Sequence, residues 1–64
     1  MKNTIKIERA KNDFTQEDLA KKLGVSRQTI NSIEKGRYVP STTLALKMSE
    51  VFSLSVNELF SLED

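Results

Sequence analysis

Apolar residues recur at helical spacing along most of the chain. Leu44, Ala45, Met48, Val51 and Phe52 follow an i, i+1, i+4, i+7, i+8 order, one stripe on a helix opened by Pro40-Ser41. Upstream, Leu19, Ala20 and Leu23 form a shorter stripe, preceded by Thr15 as N-cap with Asp18 at N3, and Phe14 is placed to staple onto Leu19. Gly24 supplies the left-handed residue that ends this helix. Two residues later Ser26 caps another helix, with Val25 and Ile30 as staple, Ile30 and Ile33 inward and Gly36 at its end. Ser55-Val56-Asn57-Glu58 is a capping box opening a short last helix; Leu54 can staple onto Leu59, and Val56, Leu59 and Phe60 face inward. The first helix falls within residues 3–12. Its Ile5 and Ile7 are two apart and make no helical stripe, and the only brief strand signal, Thr4 to Ile7, lies in the same place. The pattern predicts an all-α domain of five short helices around one core.

Length and composition narrow what such a domain does. Sixty-four residues make one small domain, spanning 1–64, because a chain this short buries only about 60% of its unfolded surface. Cysteine and histidine are absent, which removes disulfides, Cys/His metal cages, thiol nucleophiles and imidazole bases. The carboxylate pairs Glu17-Asp18 and Glu63-Asp64 are adjacent in sequence, so they diverge on a helix or dangle at a terminus. With no phosphate-cradling glycine loop either, an enzyme, a cofactor, a metal and a small-molecule ligand are all not expected. Hydrophobic residues at 38% and charged residues at 30% mark an ordinary folded chain. Met1-Lys2-Asn3 leads into no apolar segment, so a cytosolic, unprocessed protein with no membrane partner is expected.

The net charge of +1 conceals an asymmetry. Up to residue 40 the chain carries nine basic against five acidic side chains, a net of +4; beyond it Lys47 faces Glu50, Glu58, Glu63 and Asp64, a net of −3. One end therefore suits a polyanion and the other repels it.

Two helices joined by a tight glycine turn, the second short and polar outside, form a helix-turn-helix. Ala20 is small where the helices cross, Gly24 makes the turn, and Leu19, Leu23, Val25, Ile30 and Ile33 lock the pair to the domain. Advancing about 100° per residue from the inward Ile30 and Ile33, Gln28, Asn31, Ser32 and Lys35 point outward and Arg27 edges that face. These amide, hydroxyl and amine groups can hydrogen-bond base edges in the major groove of double-stranded DNA, or simply meet solvent. Glu34 falls back toward the core, as the partner of a cation there. Gln16, at the start of the second helix, suits a phosphate oxygen or is a plain first-turn residue. Arg37 and Tyr38 can reach the duplex backbone, although Tyr38 equally suits packing.

Thr15-Gln16-Glu17-Asp18-Leu19-Ala20, Gly24-Val25-Ser26-Arg27-Gln28-Thr29-Ile30, Ile33-Glu34-Lys35-Gly36 and Tyr38 with Pro40-Ser41 resemble the Cro/cI-type (XRE) helix-turn-helix transcriptional regulators, in particular short stand-alone members. The resemblance implies a five-helix, lambda repressor-like fold and a homodimer on operator DNA, with contacts at Gln16, Arg27, Gln28, Asn31, Ser32 and Lys35. It also implies an ion pair between Arg9 and Glu34. Together with Ser26, Arg37 and Tyr38 these residues make the expected DNA-binding set. The chain departs from the family at Glu8, where an apolar residue is usual, at Thr42, where leucine is common, and at Ser53, where glycine is common. Leu46 lies far from the core stripe of its helix and Leu62 runs past the last one. Both are candidates for the dimer interface, or are ordinary surface leucines. A protein-interaction or antitoxin-like module of the same fold is the rival function, because fold alone does not choose between them.

Overall fold

A computed structural model describes residues 1–62; the terminal carboxylates of Glu63 and Asp64 lie outside that range. Its elements run β1 (Lys2–Asn3), α1 (Ile5–Lys11), α2 (Gln16–Leu23), α3 (Arg27–Glu34), α4 (Thr42–Phe52), α5 (Val56–Leu59) and β2 (Phe60–Ser61). The five helices lie where the sequence places them, α1 within residues 3–12 without a stripe of its own. The addition is a two-stranded antiparallel ribbon in which Lys2 pairs with Ser61 and Asn3 with Phe60. The five-helix, mostly helical expectation holds, and the ribbon adds detail at the two ends of the chain. Thr4, where the brief strand signal begins, precedes α1 as its N-cap and Ile5 to Ile7 lie within the helix, while Phe60 leaves α5 in an extended conformation (φ −128°, ψ 143°) and still buries its ring.

Most helix ends are set by neighbours in sequence. Thr15 and Asp18 exchange side-chain-to-backbone bonds of 3.0 Å each, and Ser55 and Glu58 do the same at 3.1 and 2.9 Å. Ser26 and Ser41 cap α3 and α4 by accepting the N–H groups of Thr29 and Leu44. Gly24, at φ 73°, turns the chain out of α2, and Ser53, at φ 55°, turns it out of α4 in the same left-handed region. The start of α1 differs. Thr4 makes no side-chain cap; its N–H donates to Leu59 O at 2.9 Å, and the Ile5 N–H donates to Asn3 Oδ1 at 3.1 Å. The first helix is thus anchored by the ribbon and α5.

Around this frame close Ile5, Leu19, Ala20, Leu23, Ile30, Ile33, Leu44, Met48, Phe52, Leu59 and Phe60. Ile5 is fully buried and Ile7 is 57% exposed, so only one of the two isoleucines belongs to the core. Phe14 packs at the edge, its ring 6.2 Å from that of Phe52 and covered by the Lys22 ammonium at 4.7 Å. Among the described residues no buried side-chain polar atom lacks a hydrogen-bond partner, and no helix is long and apolar enough to cross a membrane.

Candidate nucleic-acid interface

Helices α2 and α3 are joined by Gly24-Val25-Ser26 alone. The Val25 N–H donates to Ala20 O at 3.0 Å and the Gly24 N–H to Lys21 O at 3.3 Å, so the turn uses carbonyls that the end of α2 would leave open. With Ile30 and Ile33 buried, α3 has one orientation about its axis. That orientation leaves Ser26, Arg27, Gln28, Lys35, Arg37 and Tyr38 exposed and Asn31 and Ser32 half-buried. Gln28, Thr29, Ser32 and Tyr38 line one shallow depression. Arg27 and Gln16 line another, together with Arg9, Asp13 and Glu17. Lys35 is the C-cap of α3, and the Gly36 N–H closes the end of the helix on Ile33 O at 2.9 Å.

Behind the exposed face runs a polar chain. Arg9 Nε donates to Glu34 Oε2 at 2.8 Å and Nη2 to Glu34 Oε1 at 3.3 Å, while Nη1 donates to Phe14 O at 2.9 Å. The two side chains are 17% and 6% exposed, so the pair tying α1 to α3 is close to desolvated. Gln16 is turned toward this pair. Its Nε2 donates to Glu34 Oε1 at 3.2 Å and to Asn31 Oδ1 at 3.3 Å. The Ser26 hydroxyl is engaged in capping and lies 2.9 Å from that of Thr29.

Sequence reasoning missed Asn3. Its Nδ2 donates to Ile33 O at 2.8 Å while its Oδ1 holds the start of α1, so β1 fastens the carbonyl end of α3. No local signal could have found it, since the partner lies in another element. Leu46 and Leu62, 54% and 84% exposed, line one apolar depression with Met1, Ala45, Val56 and Phe60. None of the candidate DNA-contact residues lines it. The Asp18 carboxyl titrates below its ordinary 3.8, chiefly because it accepts the Thr15 backbone N–H, and Glu58 below its ordinary 4.5 through the Ser55 N–H. Among the described residues no group of acidic side chains is placed to hold a metal ion.

A short helix with one face locked inward and a polar, cationic face presented outward, behind a three-residue turn, defines a helix-turn-helix protein. The helix-turn-helix family profile matches residues 5–59. The chain is 56% identical over 64 residues to an HTH-type transcriptional regulator of Methanocaldococcus jannaschii, covering all of this chain and 97% of that protein. An HTH-type transcriptional regulator of Bacillus subtilis is 48% identical with the same coverage. The ImmF control region 10 kDa protein of Bacillus phage phi105 is 38% identical over 55 residues, 86% of this chain and 61% of that protein. The chain belongs to the XRE-type helix-turn-helix family of DNA-binding transcriptional regulators, a family of regulators and not of enzymes.

Proposed function

We propose that residues 1–64 form one domain that recognises a specific double-stranded DNA sequence, binds an inverted-repeat operator as a homodimer and represses transcription there. The observation that carries the reading is the face of α3, where Arg27, Gln28, Lys35 and the following Arg37 are exposed and the one acid of the helix, Glu34, is turned inward against Arg9. Gln28, Asn31 and Ser32 supply base-edge contacts, while Ser26, Arg27, Lys35, Arg37 and Tyr38 meet the sugar-phosphate backbone. The first-turn N–H groups of Gln16 and Glu17, free of intrahelical acceptors, suit a phosphate oxygen.

The dimer reading rests on the apolar depression, which none of the candidate DNA contacts lines. Two copies meeting through Leu46 and Leu62 would leave both α3 faces free to enter successive major grooves, about 34 Å apart. Such a protein works in the cytoplasm, at the nucleoid.

Selection of bound fragments from random duplex DNA, followed by footprinting, tests the reading. The expected result is a two-fold symmetric site, with an affinity that falls steeply as salt rises. Sedimentation equilibrium of the wild type and of Leu46→Glu tests the interface, with a dimer expected for the first and a monomer for the second. Protection of one lone half-site by a monomeric wild type would sink the dimer, and binding without any base preference would sink the operator.

A further inference from the structure

A side-chain amide has two opposite ends, an NH2 that donates and a carbonyl that accepts. On an exposed helix face it can turn over and present either one. Asn31 is not free to do so. Glu34 offers only acceptors, and Arg9 binds both of its oxygens. The group of Gln16 that lies 3.2 Å from Glu34 Oε1 must therefore be the donor, Nε2. The same nitrogen lies 3.3 Å from the Asn31 amide, and only a carbonyl oxygen can accept from it there. Asn31 Oδ1 is thus turned to Gln16. Its Nδ2 has no acceptor among the described residues.

We infer that Gln16 is a positioning residue for base recognition, which holds Asn31 with its NH2 as the group presented to DNA, so that this position favours a base edge that accepts, guanine most of all, and disfavours cytosine. Guanine O6 and N7, thymine O4 and adenine N7 accept from that NH2, guanine with two acceptors side by side. Cytosine presents only an amino group in the major groove, and the Asn31 oxygen that would have accepted from it is turned away toward Gln16. The inference rests on the operator reading above. It also changes what Gln16 does. Both hydrogens of Nε2 are directed inward, to Asn31 and Glu34, so the side chain has no N–H left for a phosphate. A phosphate at this end of α2 meets the backbone N–H groups instead.

The test compares selected DNA sites for the wild type, Gln16→Met and Gln16→Glu. The wild type should prefer guanine over cytosine by about tenfold at one position per half-site. Gln16→Met keeps the length of the side chain but frees the Asn31 amide, so that position should lose its preference while the others keep theirs. Gln16→Glu presents only acceptors, so Asn31 should turn over and the preference should invert toward cytosine. A Gln16→Met protein that binds every sequence more weakly with an unchanged base profile would overturn the inference and make Gln16 a phosphate contact. A profile altered at several positions together would overturn it as well, since the helix itself would have moved. A wild type with no base preference overturns the operator reading instead, before any variant is compared. Side-chain amide exchange by NMR checks the geometry without DNA: the Gln16 NH2 protons should exchange more slowly than those of Asn31, and the reverse order overturns the inference.

Discussion

Truncating the ion pair between α1 and α3 from either side should have unequal effects. Removing one member of a desolvated pair costs about 3–5 kcal/mol, most of it from the charge left behind. Arg9→Ala leaves the Glu34 carboxylate, 6% exposed, with Gln16 as its remaining donor, and the loss should lie near 4 kcal/mol. In Glu34→Ala the guanidinium keeps the Phe14 carbonyl at 2.9 Å, and its long stem can carry the charge out to water. That loss should be smaller, about 2–3 kcal/mol. The double variant should be no less stable than Arg9→Ala alone, a coupling of about 2 kcal/mol. A core of this size supplies only about 3–5 kcal/mol, so Arg9→Ala should be partly unfolded without denaturant. Urea melts followed by circular dichroism decide the matter. All four proteins must be held at one concentration, because association adds to apparent stability. Losses that add to within about 0.5 kcal/mol, or Glu34→Ala proving the more damaging, would refute the reasoning.

The left-handed turns make a paired prediction, read from the same melts: Ser53→Gly, at φ 55°, should stabilise by about 1 kcal/mol, and Gly24→Ala should destabilise by a similar amount. Since nothing lies within 4 Å of an added Cβ at Gly24, that loss is conformational alone. Acid should weaken the fold through its two capping boxes. Folding lowers the pKa values of Asp18 and Glu58 from their ordinary 3.8 and 4.5, so their contribution is complete above those values and is lost as pH falls through the folded ones. Melting temperatures should drop from about pH 4.5 downward, and less so in Asp18→Asn. On DNA, Gln28→Ala should relax one base position by about 1–3 kcal/mol. Lys35→Ala should weaken all sequences alike and flatten the salt slope by about one unit; binding titrations over a salt series separate the two.

What could be read in advance follows from how local each signal is. Thr15 with Asp18, Ser55 with Glu58, and Gly24 at its turn act within three residues of one another, so the sequence carries both halves of each device. The outward face of α3 was legible because two buried isoleucines determine a rotation. The ribbon was not, since strands of two residues show no alternation and each finds its partner at the other end of the chain. Nor could sequence choose between Ile5 and Ile7, because the choice belongs to the surface they pack on. The inward turn of Gln16 was hidden for a similar reason: it depends on the position of Glu34, which Arg9 sets from a different helix.

The ribbon also bears on the order in which the chain folds. Contacts between α2 and α3 join neighbouring stretches and can form early, whereas Lys2 meets Ser61 only when almost the whole chain has been gathered into a loop. Ribbon residues should therefore be unformed at the folding barrier, and Phe60→Leu should speed unfolding while leaving the refolding rate unchanged in stopped-flow experiments. Asn3 can cap Ile33 O only after β1 has docked. The carbonyl end of the recognition helix is then the last part of the DNA-facing surface to be secured, and the first to come loose when the ends of the chain part.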